Sequence, residues 1–213
     1  GTNNINYTVT NSPVTVVGGT GWAMVDKMYQ GYVGVKTNGT LWTWGNNYIG
    51  GLGTNNTNSS SSPVQTILGG TNWTKCYAGF NHAFAIKSDG TLWGWGNNSQ
   101  KQVSVSALTY ISSPVQIAGT NWVQVATDKE ATLALKSDGT MWGWGKNLMF
   151  CLGLPVEDQV YSTPTQVGSA TDWSYVSLSD PYLTKDIYGT NAIAYSHAIK
   201  NNGTMSVSYT HLR

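Results

Sequence analysis

The chain has 213 residues, only 10% of them charged, and a formal net charge of +1. Its 11 Lys and Arg residues are scattered among 10 Asp and Glu, so the clustered cationic face that a duplex nucleic-acid binder needs is missing. No apolar run approaches membrane-spanning length, and helix formers are scarce beside Gly, Asn, Thr and Ser, a composition suited to short strands joined by many turns.

Four landmarks recur along the chain at a period of about 50 residues, the signature of a repeat architecture. A Ser/Thr-Pro step comes at Pro13, Pro63, Pro114 and Pro164, and a Trp follows at Trp22, Trp73, Trp122 and Trp173. An Asn/Asp-Gly-Thr turn then closes at Gly39, Gly90, Gly139 and Gly203. After the first three turns comes Leu/Met-Trp-x-Trp-Gly, at Leu41 to Gly45, Leu92 to Gly96 and Met141 to Gly145. In chain order, 1–12 reads as the tail of a preceding unit, because Gly1-Thr2-Asn3-Asn4 repeats Gly53-Thr54-Asn55-Asn56. Repeats follow at 13–62, 63–113 and 114–163, then an incomplete one at 164–205. Residues 206–213 depart from the period where a second Trp is due, read like a translated sequencing adapter, and are expected to be a non-native tail.

Each landmark has a physical role. Proline lacks an N–H, which is harmless on an edge strand. Asn38-Gly39, Asp89-Gly90 and Asp138-Gly139 are hairpin signals, because such a turn requires positive φ and glycine supplies it without strain. Ala83-Phe84-Ala85-Ile86 and Thr132-Leu133-Ala134-Leu135 alternate with the period of a strand, and both indoles of Leu41-Trp42-Thr43-Trp44 project from one face. One unit therefore reads as four short strands: the Pro strand, the Trp strand, the alternating strand and Trp-x-Trp. The fold class predicted is all-β, a β-propeller of four-stranded antiparallel blades forming an incomplete open arc with unpaired edges.

Repeat two, from Ala78-Gly79-Phe80-Asn81-His82 through Asp89-Gly90 to Trp93-Gly94-Trp95-Gly96-Asn97, resembles the regulator of chromosome condensation family. The resemblance lies in Gly-x-x-His, the alternating strand, the Asp-Gly turn and Trp-Gly-x-Asn. The family's Gly-Gln-Leu-Gly step is similar to Gly50-Gly51-Leu52-Gly53 and, more loosely, Phe150-Cys151-Leu152-Gly153; repeat two departs from it at Lys101-Gln102-Val103-Ser104. The family histidine stands at His82, with its counterparts near Val33 and at Ala131. The resemblance implies a seven-bladed ring, which at this period needs about 350 residues. It also implies a protein-docking role, nucleotide exchange on a small GTPase being one form of it.

Candidate sites are few. The ten tryptophans all fall on landmarks, so packing between blades competes strongly with a carbohydrate-stacking surface. His82 either faces a protein partner, as the resemblance implies, or hydrogen-bonds its own loop. Cys76 and Cys151 sit at unlike points of their repeats, so two reduced, incidental thiols are expected; with His82 and His197 they share no metal-ligand spacing. Glu157-Asp158 reads as a solvated loop pair, and the serines at 59–62 lack a base to activate them. The period breaks once: Trp to turn glycine is 17 residues in the first three repeats and 30 in the fourth, an insertion at about 179–191. Insertions into propellers tend to fall on one face, often the binding face. Tyr182, Lys185, Asp186 and Tyr188 are therefore candidate partner-binding residues alongside His82, against the alternative of a neutral loop elaboration.

The expected function is a non-enzymatic scaffold that presents loops to a protein or glycan partner and to missing blades of the same chain, without nucleic acid, membrane insertion, catalytic residues, metal or cofactor. The amide-rich, charge-poor surface points to an extracellular or virion-associated setting. The alternative is an intracellular, cytoplasmic protein-binding regulator or inhibitor. An enzyme on a propeller scaffold is disfavoured by the lack of an acid/base constellation.

Overall fold

The structure, a computed structural model, describes residues 19–179 and 195–208. Residues 1–18, the Pro13 step among them, lie outside the described residues, as do 180–194 with Tyr182, Lys185, Asp186 and Tyr188, and 209–213.

Among the described residues, fifteen strands form four antiparallel sheets, none of them closed. The first sheet is β1 (Trp22–Met28), β2 (Gly31–Lys36), β3 (Leu41–Gly45) and β4 (Ser60–Gln65), in that order. The second is β5 (Trp73–Ala78), β6 (His82–Lys87), β7 (Leu92–Asn97) and β8 (Tyr110–Gln116). The third is β9 (Trp122–Thr127), β10 (Ala131–Lys136), β11 (Met141–Lys146) and β12 (Val160–Gln166). The fourth has three strands, β13 (Trp173–Leu178), β14 (Ser196–Lys200) and β15 (Met205–Val207). A 3-10 turn at Leu148–Phe150 is the sole helical element among the described residues. Successive sheets meet through the Trp-initiated strands, β1 with β5, β5 with β9 and β9 with β13. Those strands are therefore innermost and the Ser/Thr-Pro strands outermost. This is the blade arrangement of a propeller.

The sheets are offset by one strand from the sequence repeat. Pro63 opens repeat two in sequence, yet its strand β4 pairs with β3 of the first sheet, Trp42 opposite Gln65 and Gly45 opposite Ser60. β8 pairs with β7 and β12 with β11 in the same way. The prolines also lie inside these strands rather than at their starts, in stretches where the register shifts between Thr43 and Gly45, Gly94 and Gly96, and Gly143 and Gly145. A residue without an N–H is tolerated there, on an outer edge and in a bulge.

The core lies between the sheets. One cluster joins the first three, with Val33, Leu52, Cys76, Phe84, Trp95, Val103 and Trp144 enclosed. A second joins the third and fourth through Leu133, Leu152 and Val176. Trp44, Trp73, Trp95, Trp122 and Trp144 are buried, and the other five tryptophans are half-buried. No indole is left open as a stacking platform. Met205–Val207, at the start of the departure from the period, pairs with β14, Met205 opposite Ile199.

Candidate functional site: the face of inner turns

The inner hairpin turns, β1–β2, β5–β6 and β9–β10, emerge on one face. Pairing of Gly31 with Gly45, His82 with Gly96 and Ala131 with Gly145 makes Gly31, His82 and Ala131 equivalent. The counterpart of His82 in the first blade is thus Gly31 and not a residue near Val33, because register is counted from the turn glycine. Two positions earlier stand Tyr29, Phe80 and Lys129. Their turns are linked by backbone bonds, Tyr29 N–H donating to Phe80 C=O at 2.8 Å and Phe80 N–H to Asp128 C=O at 3.1 Å. The Tyr29 and Phe80 rings stack with centroids 4.4 Å apart and planes 15° from parallel. The Lys129 Nζ lies 5.8 Å from the Phe80 centroid. Tyr29 is 58% exposed.

Beside this row is a cleft of about 420 Å³, lined by Lys27, Tyr29, Phe80, Thr127, Asp128 and Leu178 among others. Leu178 ends β13, and Ser179 N–H donates to Tyr195 C=O at 2.9 Å, tying the base of the inserted loop. The loop joins β13 to β14, the same connection that carries Tyr29, Phe80 and Lys129 in the other blades.

His82 does not belong to that surface. It is fully buried, its Nε2 2.6 Å from Thr127 Oγ1 of the next blade, its ring edge-on to Phe84. Thr127 Oγ1 donates to Ala131 C=O at 2.9 Å, so it accepts from His82, which places the imidazole proton on Nε2. Nδ1 is buried with no partner. His82 therefore bridges two blades; it neither caps its own loop nor reaches a ligand. Burial pushes its pKa down from 6.5 to about 3. As pH falls below 6.5 the unfolded chain gains a proton that the folded chain refuses, so stability falls progressively down to about 3. The slope is up to about 1.4 kcal/mol per pH unit. His82→Gln, which keeps a donor toward Thr127 without titrating, is expected to flatten thermal-melting midpoints between neutral and acidic buffers relative to the unaltered chain. A parallel pH dependence in both proteins would remove His82 from this role.

The residues that keep the period are spent on the scaffold. Asn47, Asn98 and Asn147 are fully buried at equivalent places after Trp-x-Trp-Gly. Each Oδ1 accepts from the buried backbone N–H of Leu52, Val103 or Leu152, and each Nδ2 donates to two loop carbonyls, such as those of Leu154 and Val156. The departure at Lys101-Gln102-Val103-Ser104 therefore leaves the loop intact: Val103 fills the place of Leu52 and Leu152, all three fully buried. Lysines form a second periodic set. Lys36 lies 5.0 Å from the rings of Trp22 and Trp42, Lys87 4.7 and 4.6 Å from Trp73 and Trp93, and Lys136 4.8 and 4.2 Å from Trp122 and Trp142. In the fourth blade Ser206 stands where the second indole would be, and Lys200 pairs with Asp172 at 3.0 Å. Neither set is evident from composition. The recurrence of Lys and Asn at one offset from each turn glycine was the available signal.

Among the described residues no three His, Cys, Asp or Glu side chains converge as metal ligands. Cys76 and Cys151 are free and buried, and burial raises the Cys76 thiol to about 12 and the Cys151 thiol higher still, far from a reactive thiolate. Asp89 and Asp138 are held below the usual carboxylate range by the hydroxyls and N–H groups of Thr91 and Thr140, which they accept from within their turns. Glu157 and Asp158 are exposed.

The model of the regulator of chromosome condensation (RCC1) repeat matches residues 38–86, and a second model of that repeat matches 74–102. The ultraviolet-B receptor UVR8 of Arabidopsis thaliana is 32% identical over 105 residues, 49% of this chain and 24% of the receptor. An X-linked retinitis pigmentosa GTPase regulator homolog of Caenorhabditis elegans is 35% identical over 72 residues, 33% of this chain and 5% of that protein. The chain thus spans a quarter or less of these curated relatives. Among solved structures, yeast RCC1 (Prp20) bound to Kap60 superposes with a TM-score of 0.71 at 20% identity, over 87% of this chain and 43% of that one. Human WBSCR16 gives 0.70 at 18% identity, over 87% and 46%. These likenesses show the propeller fold. With the repeat matches and the four sheets in view, the chain is an RCC1-repeat protein over residues 38–102 and folds as the blades of an RCC1-like propeller.

Proposed function

We propose that the chain is a non-enzymatic propeller scaffold that holds a protein or glycan partner on the face of its inner turns. One observation carries this reading. Side chains that obey the repeat are enclosed in the scaffold, whereas the tips that break it, Tyr29, Phe80 and Lys129, form a row beside the cleft that Leu178, at the end of β13, also lines. An exposed tyrosine stacked on a second ring offers a rigid, amphipathic contact area at little entropic cost. A protein partner is favoured over a glycan because a related propeller, Prp20p of Saccharomyces cerevisiae, is described with binding properties to Gsp1p and histones. The low charge and abundant amides favour a cell or virion surface. The GTPase-regulator homolog among the relatives favours a second reading, an intracellular protein-binding regulator.

Affinity capture with the intact chain, the double variant Tyr29→Ser, Lys129→Ser and a deletion of 179–191 tests the face. At least one retained protein is expected to drop about tenfold or more with the double variant, as loss of a central aromatic anchor implies. Equal recovery on all three baits would overturn the assignment of this face, and retention of a defined glycan but no protein would replace the partner class.

A further inference from the structure

The face opposite the inner turns carries two grooves, each with a blade on either side. The larger, about 440 Å³, lies between the second and third blades, with Ser88, Asp89, Asn121 and Ser137 beside an apolar strip that includes Ile86 and Val123. Its size falls within the range of small-ligand sites. The smaller, about 280 Å³, lies between the third and fourth blades and has Asp138 in the place of Asp89. Val123 and Ser137 border both, so one groove continues into the next.

The polar groups here are left over from the scaffold. Ser88, Asn121 and Ser137 are exposed, and their side chains make no hydrogen bond among the described residues. Asp89 takes both of its turn bonds, from Thr91 N–H and Thr91 Oγ1, on Oδ1, which leaves Oδ2 to accept from a ligand. Lys75 Nζ donates across the groove to Val123 C=O at 2.7 Å and has further protons to give. Lys87 also borders the groove, but its ammonium lies between the Trp73 and Trp93 rings. One carboxylate thus faces one available ammonium, a balance suited to a neutral ligand. Backbone groups along the groove are already paired: Ser88 N–H with Asn72 C=O, Trp122 N–H with Gly90 C=O and Ser137 N–H with Asn121 C=O. No free ladder is offered to an extended peptide, which needs one to add as a strand.

We infer that the two grooves bind a neutral oligosaccharide, with Asp89 and Asp138 accepting from its hydroxyls and Ser88, Asn121 and Ser137 donating to them. The apolar strip of Ile86 and Val123 suits the C–H face of a sugar ring, and no open indole is required. Two like grooves that share a wall suit a chain of sugar units, one groove engaging the units next to those in the other. This site is separate from the row of Tyr29, Phe80 and Lys129 and does not depend on what that row holds.

Isothermal titration of the intact chain with cellotriose, mannotriose and N-acetylchitotriose tests the grooves, with trigalacturonate and N-acetyl-trialanine amide as charged and peptidic probes. At least one neutral sugar is expected to bind at millimolar concentration and the other two probes to fail. Asp89→Asn removes the carboxylate but keeps the turn, as Asn38 does in the first blade with its Oδ1 2.7 Å from Thr40 Oγ1. Asn121→Gly removes the amide at a φ of 65°, which glycine adopts freely. Both variants are expected to melt with the intact chain and to bind the sugar about five- to tenfold more weakly. Failure of all three sugars to bind, unchanged affinity in both variants, or a preference for trigalacturonate or the peptide would overturn the inference.

Discussion

Trp144→Ala is expected to lower the melting temperature by on the order of 10 °C, from a loss of about 3–5 kcal/mol. Trp144 is fully buried and sits at a junction of two blades. Its ring packs against Phe84 of the preceding blade at 6.0 Å and Trp122 of its own at 5.8 Å, and its Nε1–H donates to Gln102 C=O at 2.8 Å. Truncation would open a large void between sheets that cannot collapse without moving a strand. Gln102 C=O keeps a second donor, the Thr132 hydroxyl at 2.9 Å, so the loss is mainly one of packing. Trp142, two residues away, is half-buried, donates to Thr140 Oγ1 at 2.8 Å and covers Lys136 from outside. Trp142→Ala is expected to shift the midpoint by less than half as much. Equal shifts for the two variants would contradict the view that Trp144, and not Trp142, locks neighbouring blades.

Asn147→Ala is expected to destabilise the chain by about 2–4 kcal/mol, because it leaves a buried N–H and two loop carbonyls without partners. The N–H is that of Leu152, 2.9 Å from Asn147 Oδ1, and the carbonyls are those of Leu154 and Val156, 2.9 and 2.8 Å from Nδ2. Asn147→Asp retains the shape and the acceptor but turns a carboxylate oxygen toward two carbonyls in a buried site, so it is expected to be at least as harmful as alanine. Urea unfolding provides the midpoint, and limited proteolysis within 148–159 reports whether the loop loosens first. Asn147→Asp with near-normal stability would show that the Nδ2 bonds contribute nothing. The same pair of changes at Asn98 should behave alike, since its Nδ2 holds Ser106 and Leu108 carbonyls in the same way.

Much of the repeat is legible in the sequence itself. Strands, turns and the four-strand blade follow from chain-local signals: alternation around Phe84 and Leu133, positive φ at Gly39, Gly90 and Gly139, and proline where an N–H would be wasted. The tryptophans could be assigned to packing because their spacing matched the period. That Trp95 and Trp144, and not Trp93 and Trp142, are locked between blades could not, since both indoles of a pair point from one face and only the neighbouring blade distinguishes them. His82 is the sharper case. The motif around it was legible, but its bond to Thr127, 45 residues away, exists only once two blades dock.

The frame of the blade was hidden for the same reason. A strand's hydrogen-bonding neighbour is a non-local choice, so sequence alone could not say whether Pro63 closes one sheet or opens the next. The site shows the division most plainly. Tyr29, Phe80 and Lys129 are 51 and 49 residues apart and unlike in chemistry, and no motif links them. Sequence by itself determined the repeat, its strands and the place where the period breaks, because these depend on local backbone preference and side-chain alternation. The tertiary structure alone decided which strand ends each blade, which buried groups hold blades together and which tips share a face, because those depend on contacts made across a whole repeat.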